Sequence, residues 1–190
     1  MRLSRRHERR ACANAGILRG FTLVELMVTI AIAAILLAIA VPSFDGVALS
    51  MKLTSYANDL VASTLLARSE AIKRNAVVSL CVSSDGTSCG TGGWEQGWMV
   101  MCKTTDNTFC DSAGANTMVI QYQPAVSSGW KITESSAITS VSFQPTGTGA
   151  TAATLTICRA TPSVGSQERV VRISASGRPS VTKTANGACS

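Results

Sequence analysis

The first residue whose type and position suggest chemistry is Glu25, a carboxylate near the start of an almost wholly apolar stretch that runs from Phe21 to Val41. A charge within a membrane segment costs at least about 2.5 kcal/mol on insertion scales, so by default it marks function. A secretory signal peptide also joins a basic start to an apolar run, but it has no reason to carry this carboxylate, and its run is shorter. The stretch is therefore interpreted as a retained functional segment.

Cysteine is the second residue type that could do chemistry. Cys12 lies in the basic N-terminal stretch, and the other six form an even set downstream: Cys81, Cys89, Cys102, Cys110, Cys158 and Cys189. Even sets indicate disulfides if this part of the chain is exported. Equal spacing favours two local loops, Cys81–Cys89 and Cys102–Cys110, which leaves Cys158–Cys189 to tie down the tail. Cys81 with Cys102 is the alternative, whereas the lack of a CxxC pair disfavours zinc.

Residues for acid-base catalysis are scarce. The only histidine, His7, lies in the basic N-terminal stretch, so a shortened mature chain would have no imidazole. No nucleophile-base pair, phosphate-binding loop or carboxylate dyad stands out, and Asp85, Asp106 and Asp111 occur in contexts typical of turns. We therefore expect no enzymatic activity, no cofactor and no metal site.

Charge is distributed very unevenly along the 190 residues. The net charge is +6, and six arginines precede the apolar stretch with only Glu8 to offset them. By the positive-inside rule this predicts a cytoplasmic N-terminus and an exported C-terminal body. From residue 21 onward the charges nearly balance, but the end of the chain places Arg159, Arg169, Arg172, Arg178 and Lys183 against Glu168 alone. Such a patch could contact phosphates without reading bases.

Two kinds of element must position these residues. Residues 21–41, at about 1.5 Å per helical residue, span roughly 31 Å, which predicts one transmembrane helix. Pro42 predicts a kink. Apolar residues recur at helical spacing over residues 51–74, so we expect the helix to continue to about residue 75 as an amphipathic segment. Its predicted apolar face contains Leu53, Ala57, Leu60, Val61, Leu65, Ala71 and Ile72.

After Asn75 the pattern changes to short β-type runs separated by turn residues. The eight predicted strands cover residues 76–83, 97–102, 118–123, 130–133, 140–144, 153–159, 168–175 and 179–182. Trp94 and Trp98 are expected in the core rather than in a ligand site. The fold class is therefore α+β, with one long helix packed on an antiparallel β domain over residues 76–190.

The N-terminal residues resemble the signal of type IV pilins and type II secretion pseudopilins. The resemblance rests on Gly20, Phe21, Thr22, Glu25 and Pro42 at the family's offsets. It implies a leader, residues 1–20, that a prepilin peptidase removes by cleavage after Gly20, and an N-methylphenylalanine at Phe21. It also implies that Glu25 neutralises the new amino group of a neighbouring subunit in a filament. The body retained after cleavage would have little net charge.

The stretch SLCVSSDGTSCGTGGWEQGWMVM further resembles the GspH and FimT group of minor pilins and pseudopilins. FimT-type members bind DNA through a C-terminal Gly-Arg-x-Arg sequence. Gly177 and Arg178 match it, but Ser180 replaces the second arginine. The resemblance thus implies possible DNA-binding residues at Arg178, Arg172, Arg169 and Lys183, with the ordinary alternative that these are solvated strand residues.

The function expected from the resemblance is that of a minor pilin at or near the tip of a type IV pilus, where it helps to initiate assembly. Two alternatives stay open: an H-type pseudopilin of a type II secretion system, and a DNA-binding pilin used in natural transformation. The expected partners are the prepilin peptidase, other pilins and, before assembly, the inner membrane, with DNA as a weaker candidate. The expected location is the inner membrane with a periplasmic C-terminal domain.

Overall fold

The structure is a computed structural model that describes residues 20–103, 110, 117–148, 150–160 and 167–187, leaving out the side chains of residues 40–45. The chain divides into two compact units that meet at Pro42 and Ser43, and each is described by itself. The predicted leader, with His7 and Cys12, lies outside the described residues, apart from Gly20.

One helix, α1, runs from Leu23 to Arg74 and continues through Pro42. Its bounds agree with the predicted helix to within two residues at each end. The kink predicted at Pro42 falls where side chains are not described, and it stays a prediction. Within the part of the chain that the structure describes, no helix is both long and apolar enough to cross a bilayer. The transmembrane helix over residues 21–41 stays a prediction.

The body half of α1 packs one face against the β domain. The buried positions recur every three or four residues, as expected for one helix face: Leu49, Leu53, Tyr56, Ala57, Leu60, Ser63, Thr64, Ala67 and Ala71. Leu65 and Ile72 were predicted on this face, but they are about half exposed, at 48% and 52%. The prediction was wrong for these two residues, because the buried face of the helix contains the small residues Ser63, Thr64 and Ala67 instead.

All eight predicted strands are present. They are β1 (Val78–Val82), β2 (Gly97–Lys103), β3 (Thr117–Pro124), β4 (Trp130–Glu134), β5 (Ser140–Phe143), β6 (Ala153–Arg159), β7 (Glu168–Ile173) and β8 (Pro179–Thr184). Strands that bury one face alternate between buried and more exposed residues, as β6 does from Ala153 to Ile157. The turn residues between the runs are what made these bounds predictable.

The strands form two antiparallel sheets of four. The first sheet has the order β3-β2-β1-β5, and the second has the order β4-β6-β7-β8. Because β5 joins the first sheet while β4 and β6 pair in the second, the chain passes between the sheets twice over residues 130–159. Buried residues from both sheets and from the body half of α1 form one core.

The Trp-x-x-Gly-Trp sequence supplies two large side chains to that core. Trp94 and Trp98 are 2% and 0% exposed, which confirms their predicted place. The indole N–H of Trp98 donates to Ser63 Oγ on α1 at 3.0 Å, and that of Trp94 donates to the carbonyl of Ile138 at 2.9 Å. Each buried indole therefore has its acceptor, as buried polar groups require.

Disulfides close two loops of the first sheet. Cys81 is bonded to Cys89 and Cys102 to Cys110, as the spacing predicted. Cys158 is also disulfide-bonded. Cys189, its predicted partner, lies outside the described residues, so that pairing stays a prediction.

Candidate processing and assembly site

The predicted cleavage site lies immediately before the start of α1. The hydroxyl of Thr22 accepts the backbone N–H of Glu25 at 3.1 Å, and the carbonyl of Thr22 accepts that of Leu26 at 3.1 Å. These two bonds make Thr22 the N-cap of the helix. The sequence pattern placed Thr22 only as a member of a motif, although Thr-x-x-Glu is the spacing of a capping box and could have indicated this role.

Glu25 lies in the first turn of α1, where the unsatisfied N–H groups of a helix favour a negative charge. Its side chain is exposed, and no hydrogen bond or ion pair joins its carboxylate to another described residue. Capping uses only the backbone N–H of Glu25. The carboxylate is therefore left free to bind a group outside the described part of the chain.

The first unit surrounds this carboxylate with exposed apolar side chains. Every large apolar residue from Phe21 to Ile39 that is described has at least half of its surface exposed, from Val28 at 51% to Phe21 at 80%. Soluble monomers rarely expose a contiguous apolar surface of this length. Such a surface is typical of a segment that is covered by lipid or by other protein chains.

The predicted DNA-binding role is wrong for Arg169. Its side chain is only 7% exposed. Nη2 donates to Ser50 Oγ at 2.9 Å, and Nη1 donates to the carbonyl of Glu168 at 3.0 Å. Arg169 therefore fastens β7 to α1 and is not available to a phosphate. Its partner lies 119 residues earlier in the sequence, so no local pattern could have revealed this role.

The other three candidate cations are exposed, and two of them, Arg172 and Lys183, lie on opposite faces of the second sheet. Arg172 lies on the face of β7 opposite to Arg169, as alternation along a strand predicted. Lys183 is the register partner of Arg169 on β8 and so shares the face of Arg169, not that of Arg172. Arg178 lies in the turn between β7 and β8. The alternation of the strands thus separates charges that are close in sequence.

The Gly177-Arg178 pair has a structural explanation that involves no DNA. A β-carbon at Gly177 would lie 3.4 Å from Arg68 Cδ and 3.4 Å from the ring of Phe143. The turn therefore packs closely against α1 and β5. Gly177 also has a φ of 72°, which residues with a side chain rarely adopt, so the turn itself accounts for the glycine. Its match to the Gly-Arg-x-Arg sequence therefore adds little. DNA binding by Arg172, Arg178 and Lys183 stays a prediction.

Replacing Arg169 and Arg172 separately should show that one stabilises the fold and the other does not. We expect Arg169→Ala to lower the free energy of unfolding by about 2 kcal/mol, because hydrogen bonds to a buried charged group are lost. Arg172→Ala, at an exposed position of the same strand, should change it by less than about 0.5 kcal/mol. Urea unfolding of the oxidised body measures both. Equal effects of the two substitutions would contradict the role given to Arg169.

The carboxylate of Asp85 stabilises the turn in which it lies. It accepts the backbone N–H groups of Thr87 and Ser88 and the hydroxyls of Ser83, Thr87 and Ser88. These hydrogen bonds, the one from the Thr87 N–H first, hold the pKa of Asp85 well below its usual range. Asp85 is thus a turn former, as predicted, while Asp106 and Asp111 lie outside the described residues.

Three features together define a pilin-like subunit. The body half of a long N-terminal helix packs on antiparallel sheets, a glycine lies just before this helix, and a carboxylate lies in its first turn. Residues 19–41 match the prokaryotic N-terminal methylation motif. Residues 56–177 match the family described as type II transport protein GspH. Because this match covers more than half of the chain, the protein belongs to the GspH family. No curated protein sequence matches it.

The solved structures to which this chain is similar include two minor subunits. The type IV minor pilin FimU of Pseudomonas aeruginosa strain PAO1 is 23% identical, with a TM-score of 0.53 over 70% of this chain and 90% of FimU. The minor pseudopilin EpsH of the Vibrio cholerae type 2 secretion system is 14% identical, with a TM-score of 0.44 over 72% of this chain and 98% of EpsH. The likeness to FimU confirms the pilin-like fold.

Proposed function

We propose that the protein is a minor pilin of a type IV pilus, located at or near the filament tip, where it helps to initiate assembly. The observation that carries the proposal is Glu25, an exposed carboxylate without a described partner in the first turn of an exposed apolar helix. Packed among neighbouring helices, that surface would be covered. The carboxylate would then need a cation, because an unpaired buried charge is very costly.

Processing would create that cation. A prepilin peptidase hydrolyses the bond between Gly20 and Phe21 and leaves a free amine, which is then methylated and stays charged at neutral pH. In a growing filament, Glu25 of one subunit accepts the amine of its neighbour. Each charge then compensates the other within the apolar environment, so a correctly placed subunit is favoured over a misplaced one, which leaves a buried charge unpaired.

The proposal includes a location and a structural rather than an enzymatic role. Before assembly the apolar segment holds the subunit in the inner membrane, and the disulfide-bonded body lies in the periplasm, where disulfides persist. Other pilins and the peptidase are its protein partners. The body contributes a rigid domain to the filament and catalyses no reaction.

Mass spectrometry of the protein purified from its native cells tests the processing step. We expect the N-terminal peptide of the mature chain to begin at Phe21 and to carry one additional methyl group on its amine. We also expect Cys81–Cys89 and Cys102–Cys110 to be oxidised. A mature chain that retains residues before Phe21, or that lacks Phe21, would contradict the proposal.

A second candidate function uses the same pairing of Glu25 with a neighbour's amine, but in a type II secretion system instead of a pilus. The family match to type II transport protein GspH favours a pseudopilin of a type II secretion system. The genes next to this one distinguish the two candidates, because pilus and secretion components are encoded with different partners. Deleting the gene gives the functional test. Loss of surface pili supports the pilus, and loss of a secreted enzyme from the medium supports the secretion system.

A further inference from the structure

We propose that Thr22 positions the scissile bond: its hydroxyl ends α1 at Leu23, so that the Gly20–Phe21 peptide bond stays in exposed, non-helical backbone. Thr22 is a positioning residue that takes no part in the chemistry. The inference rests on the proposed processing of this chain by a prepilin peptidase.

The geometry around the bond carries the inference. Gly20 and Phe21 lie outside the helix, and Phe21 is 80% exposed. Among the described residues, none has an atom within 4 Å of a β-carbon placed at Gly20. The earliest backbone carbonyl that a described helical hydrogen bond uses is that of Thr22, at 3.1 Å from the Leu26 nitrogen. The carbonyl of Gly20, which hydrolysis must reach, is not drawn into the helix.

The reaction explains why this matters. Water attacks the carbonyl carbon of Gly20, the bond to the Phe21 nitrogen breaks, Gly20 ends as a carboxylate, and Phe21 leaves as an amine that takes up a proton. If α1 began earlier, the N–H of Val24 would bind the Gly20 carbonyl, and the N–H of Glu25 would bind that of Phe21. The scissile bond would then lie in the first helical turn.

Thr22 prevents this extension by satisfying the N–H of Glu25 with its own hydroxyl at 3.1 Å. Next to lipid an unsatisfied backbone N–H costs several kcal/mol, so a first turn without a cap would recruit the carbonyls before it. Removing the hydroxyl should therefore lengthen the helix toward Gly20 instead of simply loosening its end.

Cleavage of the full-length precursor in membranes by a prepilin-type aspartyl peptidase tests the proposal. Thr22→Val keeps the shape of threonine but cannot cap, whereas Thr22→Asn changes the shape and caps well. We expect Thr22→Val to be cleaved about fivefold more slowly than wild type, and Thr22→Asn and Thr22→Ser to remain within about twofold of it.

The Val and Asn variants separate capping from direct recognition. If the peptidase reads side-chain shape, Thr22→Val will be cleaved faster than Thr22→Asn. If it reads the hydroxyl, only Thr22→Ser will match wild type. Either result overturns the proposal. A wild-type precursor that is not cleaved after Gly20 instead contradicts the proposed function, and this inference falls with it.

Backbone carbon chemical shifts of the uncleaved precursor in micelles give a readout that does not depend on the peptidase. We expect Phe21 to move toward helical values in Thr22→Val and to keep extended values in Thr22→Asn and Thr22→Ser. Extended Phe21 values in a slowly cleaved Thr22→Val precursor would overturn the proposed cause.

Discussion

A precursor that carries Glu25→Ala is expected to be cut after Gly20 at the wild-type rate and then to be missing from filaments. Cleavage should be normal because Thr22 caps the helix through the backbone N–H of residue 25, which alanine retains. Alanine is also the best helix former, so the start of α1 should be unchanged. The two steps, processing and incorporation, are thereby separated in one variant.

Incorporation should fail because a neighbour's amine would be buried without a partner. Breaking one side of a buried ion pair costs roughly 3 to 5 kcal/mol, which corresponds to a loss of at least about a hundredfold in incorporation. The measurement is the amount of the subunit in sheared filaments, compared with the membrane fraction, by immunoblot.

Two control variants show whether the charge is the cause. Glu25→Gln keeps the size of the side chain and should fail almost as completely. Thr29→Ala removes a polar group one turn further along the helix, where the hydroxyl only binds the carbonyl of Leu26 at 2.9 Å, and it should assemble normally. Wild-type incorporation of Glu25→Ala would refute the proposed role of this carboxylate.

Replacing Gly97 is expected to be the most damaging single change in the body. A β-carbon at Gly97 would lie 2.7 Å from the carbonyl oxygen of Gln123, 2.9 Å from that of Ser83 and 3.0 Å from the nitrogen of Ala125. All three are backbone atoms of adjoining elements, which cannot move as side chains do. Gly97 also has a φ of 109°, which residues with a side chain rarely adopt.

Gly97→Ala should therefore lower the free energy of unfolding by roughly 4 kcal/mol, about half from backbone strain and half from crowding. Urea unfolding of the oxidised body from Ser43 onward measures it. Gly187→Ala is the matched control. Its φ is also positive, at 72°, but a β-carbon there meets no atom of the described residues within 4 Å, so only the smaller cost of strain is expected. Equal effects would show that crowding at Gly97 has been overestimated.

Local pattern was enough to place most elements and several of the site residues. The eight strands could be placed because turn residues separate runs of β-type sequence, and both are read from neighbours along the chain. The Cys81–Cys89 and Cys102–Cys110 disulfides were predictable for the same reason, since each closes a short loop. The Gly20–Phe21 and Glu25 motif is likewise local, because adjacent residues carry the whole signal.

The roles that sequence reasoning missed depend on residues far apart in the chain. Alternation along β7 puts Arg169 and Arg172 on opposite faces, but it does not reveal that Arg169 binds Ser50 on α1 while Arg172 faces solvent. Ser63 was not identified as a partner of Trp98 because they lie 35 residues apart. Leu65 and Ile72 were wrongly predicted on the buried face of α1, because the sheets against which a helix packs decide which of its residues are buried.

The residues around Glu25 were thus identified from the amino-acid sequence alone: a carboxylate in an apolar stretch, with a glycine and a threonine before it at the motif's offsets. Only the tertiary structure decided that the strands divide into two sheets and that Arg169 is a structural residue. The physical reason is that strand pairing and burial are set by which distant segments meet. A single strand carries the alternation of its side chains but not the identity of the surface that each face will contact.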